Sequence, residues 1–310
     1  MKILVTGGAG YIGSILVPAL LARGDEVTVL DNFRYNQTSL FDVCDNPRLR
    51  IVRGDARNEA LLRREMEGKD IILPLACLTG APICSRLPEE ATSVNLTAVK
   101  LILANRTPEQ KIIFPTTNSG YGIGEESVLC TEETPLRPVS LYGRLKVDAE
   151  QAVLESSNAI ILRLATVFGI SPRMRLDLLV NDFVYRAVTD GFIVLFEAHF
   201  KRNFIHVRDV SKAFLHGIEH FDALKNTIYN IGLSSANLSK KELCEEIQKQ
   251  VPKFYITEAK VGEDPDKRNY IVSNEKIEKT GFTPDVSLSA GIAELIKGYE
   301  VLPRAHFGNQ

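Results

Sequence analysis

The residues in this chain most able to do chemistry are a tyrosine and a lysine four positions apart, Tyr142 and Lys146. Residues at this spacing lie on one face of a helix. There, the lysine ammonium would stabilise a phenolate and lower the tyrosine pKa from its ordinary value of about 10, so that the phenol could take a proton from an alcohol near neutral pH. Taken alone, such a pair is more often two solvated side chains. Whether it is catalytic therefore depends on the elements around it.

The elements that would position this pair begin with a glycine-rich turn between a strand and a helix. Residues 2–6 form a short apolar β-run, and Gly7, Gly10 and Gly13 follow at three-residue spacing, with a helix expected over 14–23. The first glycine permits a tight turn, the second lets backbone approach a pyrophosphate, and the third lets helix and strand pack closely. The helix N-terminus offers N–H groups to phosphate. This pattern predicts a dinucleotide site.

The end of the second strand indicates which dinucleotide binds there. Residues 26–30 form that strand and Asp31 follows it. A carboxylate at this point accepts hydrogen bonds from a ribose diol and disfavours a 2′-phosphate, which predicts NAD rather than NADP. Arg34 is close enough to weaken that preference. The predicted cofactor site also includes Ala56 and three neighbours of these motifs, Tyr11, Ile12 and Asn32.

Strands and helices alternate through the first half of the chain, which predicts an α/β fold of Rossmann type with a doubly wound parallel sheet. Further strands are expected at 49–53, 70–75, 111–115 and 159–163. Further helices are expected at 59–67, 89–104, 141–154, 176–188, 240–250 and 288–299. We predict an NAD-binding domain over 1–165 with returns near 207–231. A smaller, interleaved substrate-binding lobe would take 166–206 and 232–310.

With these motifs the chain resembles the extended short-chain dehydrogenase/reductase family, and within it the NAD-dependent nucleotide-sugar epimerases and dehydratases. The resemblance implies that Tyr142 and Lys146 are the catalytic pair and that Thr117, four residues before Tyr121-Gly122, is the catalytic Ser/Thr. It also implies cofactor contacts at Asp55, Leu75, Ala76 and Asn95.

Several residues are candidates for binding the substrate. By resemblance, Arg202 and Arg268 would meet a diphosphate, for which guanidinium groups provide a fork of donors. Asn181 is a candidate for the pyrophosphate or the sugar, and Arg173 and Arg175 are either substrate ligands or part of a solvated loop. The predicted site is completed by Thr117, Asn118 and Ser119.

The reaction implied by the family is oxidation of a sugar hydroxyl, most simply at C4. Tyr142 would remove the proton, Thr117 would orient the same hydroxyl, and Lys146 would keep the phenol acidic and bind the nicotinamide ribose, while NAD⁺ accepts hydride.

Two positions after the threonine argue against loss of water. The 4,6-dehydratases of the family carry an Asp-Glu pair directly after the catalytic threonine, and here Asn118 and Ser119 stand there. Neither residue ionises near pH 7. If water were eliminated nonetheless, Glu125 or Glu126 would be the first residues to test.

Other segments narrow the choice of substrate. Pro74 stands where many relatives have His, and Thr166 where many have Asn. The runs 118–124, 165–175 and 262–266 most resemble bacterial GDP-heptose 4-dehydrogenases of surface-polysaccharide pathways. The leading hypothesis is therefore oxidation of GDP-manno-heptose to a 4-keto sugar. A nucleotide-sugar 4-epimerase remains an alternative. A non-catalytic NAD-binding regulator is another, against which the complete catalytic set argues.

The composition is that of a globular enzyme. The 310 residues are 45% hydrophobic and 25% charged, enough to bury a large core, and the net charge of −2 gives no reason to expect nucleic acid or a membrane surface as partner. Five cysteines, odd in number and without zinc spacing, indicate free thiols and no metal site. With no signal peptide or membrane-spanning run, a cytoplasmic protein is expected. The resemblance implies a homodimer formed by the helix of Tyr142 and residues 89–104.

Overall fold

The structure is a computed structural model that describes residues 1–125, 127–259, 261 and 267–301. Its strands, in chain order, are β1 (Lys2–Thr6), β2 (Glu26–Asp31), β3 (Leu49–Arg53), β4 (Ile71–Pro74), β5 (Lys111–Thr117), β6 (Leu129–Cys130), β7 (Ala159–Leu164), β8 (Thr166–Phe168), β9 (Phe192–Leu195), β10 (Lys201–His206), β11 (Thr227–Ile231), β12 (Asn237–Ser239), β13 (Tyr255–Glu258) and β14 (Ile271–Val272). Its α-helices are α1 (Gly13–Ala22), α2 (Glu59–Met66), α3 (Ala81–Arg86), α4 (Pro88–Thr92), α5 (Ala98–Asn105), α6 (Leu141–Glu155), α7 (Leu179–Thr189), α8 (Val207–Glu219), α9 (Phe221–Leu224), α10 (Lys240–Gln248), α11 (Glu275–Glu278) and α12 (Leu288–Val301).

Seven parallel strands form the main sheet, in the order β11-β7-β5-β4-β1-β2-β3. The central strands read as continuous apolar runs because helices cover both faces of the sheet. Side chains alternate between the faces, so Ile3 and Val5 of β1 pack towards α1 and α8, whereas Leu4 packs on the other side with Ile72 and Phe114. The strand order reverses beside β1, where such folds open a crevice at the carboxyl ends of the strands. The predicted fold class is confirmed.

A second lobe packs around its own apolar cluster, which includes Val180, Leu195, Leu243 and Leu295. It contains two small sheets, β12-β10-β8 and β13-β9, together with α7, α10 and α12. The helices expected at 176–188, 240–250 and 288–299 are α7, α10 and α12, with ends shifted by a few residues. Between these segments the chain returns to the main sheet through α8 and β11. The end of the predicted lobe, residues 302–310, lies outside the described residues.

The segment 88–105 departs from the single helix expected there. It contains α4, a π-helical turn over Ser93–Thr97 and then α5. Such turns insert one extra residue per turn and recur at functional sites. Here the turn carries Asn95, whose side chain reaches the loop after β4.

None of the helices in the described ranges combines the length and the apolar character needed to cross a bilayer.

Candidate functional site

A cleft of about 1800 Å³ opens at the carboxyl edge of the main sheet, between that edge and the second lobe. It is where parallel α/β sheets bind ligands. The cleft is lined by most of the residues predicted for the site: Gly7, Gly10, Tyr11, Ile12, Gly13, Asp31, Asn32, Asp55, Ala56, Leu75, Ala76, Thr117, Ser119, Tyr142, Lys146, Arg173, Arg175, Arg202 and Arg268. Asn95, Asn118 and Asn181 do not line it.

The glycine-rich turn has the shape that a dinucleotide requires. Gly7 has φ of +69°, and a Cβ there would lie 2.6 Å from the backbone nitrogen of Ala76. A Cβ at Gly13, the first residue of α1, would lie 2.4 Å from the carbonyl oxygen of Gly8. No side chain fits either position, so the start of α1 can approach phosphate closely. These residues fit NAD.

At the end of β2, Asp31 faces the turn. Its carboxylate accepts hydrogen bonds from the backbone nitrogens of Ala9 (3.0 Å) and Phe33 (2.8 Å). Burial raises the pKa of Asp31, and these two backbone hydrogen bonds oppose the rise. The neighbouring Asp55 forms a two-pronged ion pair with Arg57, which lowers the pKa of Asp55. To bind an adenine as well, the Asp55 carboxylate would have to accept hydrogen bonds from both Arg57 and the adenine.

Arg173 reaches this same end of the cleft from the second lobe. Its guanidinium lies 4.3 Å from the ring centre of Tyr35, and Asp31 is among the charges that act on it. Burial lowers the pKa of Arg173. Arg173 thus lies beside the expected adenosine ribose of the cofactor, which argues against its predicted role as a substrate ligand. Tyr35 was missed in the sequence because a stacking tyrosine in a loop has no distinguishing motif.

The catalytic set lies at the ends of β5 and α6. Thr117 ends β5, and its hydroxyl is 2.9 Å from the hydroxyl of Ser119. The Ser140 side chain caps α6 by accepting from the backbone nitrogen of Gly143 (3.1 Å), which starts the helix that carries Tyr142 and Lys146 one turn apart.

Lys146 is held in place by packing. The side chain is 5% exposed and its Nζ lies 4.1 Å from the ring centre of Phe114. Within the described part of the chain the ammonium has no hydrogen-bond or ion-pair partner, because the nearby carboxylate of Glu150 is bound by Arg163. A buried ammonium whose N–H donors are unused can donate hydrogen bonds to the hydroxyls of a ribose.

The electrostatics of Tyr142 differ from the sequence prediction. Burial is the largest influence and raises the pKa of the phenol, while Arg175 and Arg268 lower it. Burial also lowers the pKa of Lys146. The structure therefore does not show the lowered Tyr142 pKa that the sequence predicts.

Three asparagines predicted to touch ligand are buried behind the cleft instead. Asn95 accepts from the backbone nitrogen of Leu78 (2.8 Å) and donates to its carbonyl (2.9 Å), which fixes the loop after β4. Asn181 accepts from the nitrogen of Gly169 (3.0 Å) and donates to the Tyr11 hydroxyl (3.2 Å). Asn118 is 0% exposed, and its amide has no partner among the described residues. The side-chain amides of Asn95 and Asn181 therefore bind the protein itself.

The part of the cleft in the second lobe is basic. Arg202 is buried, donates to the carbonyl of Lys201 (2.8 Å), and lies 5.6 Å from the ring centre of Tyr270. Lys240, at the start of α10, lines the same region and donates to the carbonyl of Phe196 (2.9 Å). Lys240 was missed because a lysine at a helix start usually indicates solvent exposure. A diphosphate fits such a surface.

Some of the motif positions cannot be described. Glu126, Asp266 and the run 262–266 lie outside the described residues. Glu125 is exposed and does not line the cleft.

Comparison with known proteins agrees with this geometry. Residues 3–232 match the model of the NAD dependent epimerase/dehydratase family. The chain therefore belongs to that family.

Individual relatives are similar over nearly their whole length. The UDP-glucose 4-epimerase of Corynebacterium glutamicum is 26% identical, over 92% of this chain and 91% of the relative. The dTDP-glucose 4,6-dehydratase of Streptomyces griseus is 30% identical, over 96% of this chain and 93% of the relative. The solved structure of a Streptomyces venezuelae dTDP-glucose 4,6-dehydratase with NAD bound has a TM-score of 0.85 and 26% identity, covering 97% and 98% of the two chains. The protein is an NAD-dependent enzyme of nucleotide-sugar chemistry.

Proposed function

We propose that the enzyme oxidises C4 of a nucleotide-diphosphate sugar, GDP-manno-heptose in the leading hypothesis, to a 4-keto sugar. The observation that carries this proposal is the composition of the catalytic edge. Thr117, Tyr142 and Lys146 line one cleft, whereas Asn118 and Ser119 supply no acid or base beside them.

The proton leaves the C4 hydroxyl for the phenolate oxygen of Tyr142, which becomes a phenol, while Thr117 orients that hydroxyl by hydrogen bonding. NAD, when bound, supplies the acceptor for the hydrogen and electron pair that leave C4. Arg175 and Arg268 lower the pKa of Tyr142 against the effect of burial. Lys146 would hold the nicotinamide ribose from the buried side of the cleft.

Elimination of water is not part of the proposal. Loss of a sugar hydroxyl needs a general acid, because hydroxide is a poor leaving group, and a base for the neighbouring carbon. Asn118 and Ser119 do not ionise near pH 7.

Epimerisation at C4 is the second candidate, and the similarity to a UDP-glucose 4-epimerase favours it. The same residues would serve, with the hydrogen returned to the opposite face of C4. In the first candidate the 4-keto sugar leaves the cleft, and in the second it stays and is reduced again.

The wider proposal concerns the setting of the reaction. We expect a cytoplasmic homodimer formed by α6 and the segment 88–105 of each subunit, with NAD bound by 1–165 and 207–231 and substrate by 166–206 and 232–310. Arg144 and Asp148 on the outward face of α6 are exposed, as a contact surface requires. Light scattering at micromolar concentration tests the dimer, and a monomer would contradict it.

The reaction is tested by incubating the protein with a panel of GDP-, UDP- and dTDP-sugars that includes GDP-heptose, followed by mass spectrometry and NMR. A product lighter by two hydrogens supports the dehydrogenase, and an isobaric epimer supports the second candidate. A product lighter by one water, formed at a normal rate, refutes both. Tyr142→Phe is the matched inactive control.

A further inference from the structure

The backbone next to Arg268 is hydrogen-bonded to the loop that follows the catalytic residue Thr117. Asn269, the neighbour of Arg268, donates its backbone N–H to the carbonyl of Gly122 (3.1 Å) and accepts from the nitrogen of Gly124 (2.8 Å). A few residues further on, β14 pairs with β6. The backbone that carries Arg268 is therefore held by the chain segment that directly follows Ser119.

The side chain of Arg268 continues inward to the reacting end of the cleft. Its Nη1 donates to the hydroxyl oxygen of Ser119, which also accepts from the hydroxyl of Thr117 at 2.9 Å. Arg268 is also close enough to Tyr142 to lower its pKa. The hydrogen bond thus puts this guanidinium beside Ser119 and Thr117.

Arg202 differs in its surroundings. Its guanidinium lies 5.6 Å from the ring centre of Tyr270 and donates to the carbonyl of Lys201, and Lys240 lines the same cleft. The two arginines thus come from neighbouring stretches of backbone, since Tyr270 donates to the carbonyl of Lys201, but only Arg268 has a side-chain hydrogen bond to Ser119.

We propose that Arg268, together with Ser119, binds an oxygen substituent on a ring carbon next to C4, and that Arg202 and Lys240 hold the diphosphate. This inference rests on the proposed function, because it takes Thr117 as the group that holds the C4 hydroxyl. Oxygens on neighbouring ring carbons lie roughly one hydrogen-bond length apart, as the Thr117 and Ser119 hydroxyls do. A cation with a fork of donors suits an acceptor there, a hydroxyl or a carboxylate, on C3 or on the C5 side chain.

The test compares Arg268→Met with the matched variant Arg202→Met, both in the full-length protein with NAD. Calorimetry gives the Kd of free GDP and UDP. We expect Arg202→Met to weaken binding of the preferred diphosphate about 10- to 100-fold and Arg268→Met to leave it nearly unchanged. Equal weakening by the two variants would overturn the inference.

The second measurement is kcat/KM with the intact sugar and with analogues that lack oxygen at C3 or C6. We expect Arg268→Met to lose about 10- to 100-fold with the intact sugar. With the analogue that lacks the oxygen bound by Arg268, the variant and the wild-type protein should have similar kcat/KM, because removing one partner of a pair already removes the interaction. The same loss with every analogue would overturn the inference. Arg268→Lys, which keeps the charge and the stem, should lose less and guards against misfolding of the methionine variant.

Failure of the proposed function gives a different result. If the wild-type protein oxidises no nucleotide sugar, the proposed function fails, while the diphosphate measurement still decides between the two arginines.

Discussion

Replacing Asn181 by leucine separates the role predicted from the sequence from the role that the structure gives this residue. The side chain is fully buried and makes three hydrogen bonds that join the second lobe to the glycine-rich turn: from the nitrogen of Gly169 (3.0 Å), to the Tyr11 hydroxyl (3.2 Å) and to the carbonyl of Arg175 (2.9 Å). Leucine has a similar volume, so the loss falls on the hydrogen bonds.

Two backbone groups, the Gly169 N–H and the Arg175 carbonyl, lose their side-chain partner in this variant. Each buried group without a partner costs about 1–3 kcal/mol, so the free energy of unfolding should fall by about 2–6 kcal/mol. Tyr11 keeps its own bond to the Gly169 carbonyl (2.6 Å) and adds little to the loss. The total stability of folded domains is about 5–15 kcal/mol, so the effect is large.

Urea unfolding followed by far-UV circular dichroism measures the difference. Asn105→Leu, at a partly exposed asparagine of α5, is the matched control and should change the free energy of unfolding by less than about 1 kcal/mol. At low temperature, where the Asn181→Leu variant remains folded, KM for the nucleotide sugar should be nearly normal. Unchanged stability with a raised KM would refute this reasoning and restore Asn181 as a substrate ligand.

Three other predictions concern the cofactor, the chemistry and the pH response. Gly13→Ala should abolish NAD binding in calorimetry, because its Cβ would lie 2.4 Å from the Gly8 carbonyl oxygen, and normal affinity would contradict the described turn. Tyr142→Phe should reduce oxidation by about 10²–10⁴-fold with NAD still bound, and near-normal single-turnover rates would show that another base acts. Burial lowers the pKa of His206 to about 4, so between pH 6.5 and 4 the unfolded chain takes up a proton that the folded chain does not. The free energy of unfolding should therefore fall by about 3 kcal/mol over that range, and a His206→Gln variant with the same pH dependence would exclude this histidine as the cause.

The sheet and most of the residues that line the cleft could be predicted from sequence because they depend on local patterns. β1, β2 and β5 are apolar runs followed by turn residues, and the four-residue spacing of Tyr142 and Lys146 marks the active face of α6. The glycine spacing likewise reports a local steric requirement. Chemistry at strand ends then follows from topology alone.

The remaining features depend on contacts between distant parts of the chain. Nothing local to Asn95 or Asn181 shows that their amides bind protein backbone instead of ligand. The position of Arg173 beside Tyr35 requires the packing of one lobe on the other. The raised pKa of Tyr142 depends on burial by several elements, which a spacing of four residues cannot report.

The return of the chain to the main sheet limits how this enzyme can be divided or recombined. A fragment that ends at residue 165 would leave β7 without its neighbour β11, whose residues Thr227–Ile231 pair with Ile160–Leu164. It would also remove Gly169 and Ser171, which bind Tyr11 and Ser14 of the cofactor turn. The first half is therefore not a portable NAD-binding module. Exchange of substrate specificity between relatives would have to proceed by replacing separate segments around a shared sheet, since a single crossover would break both lobes.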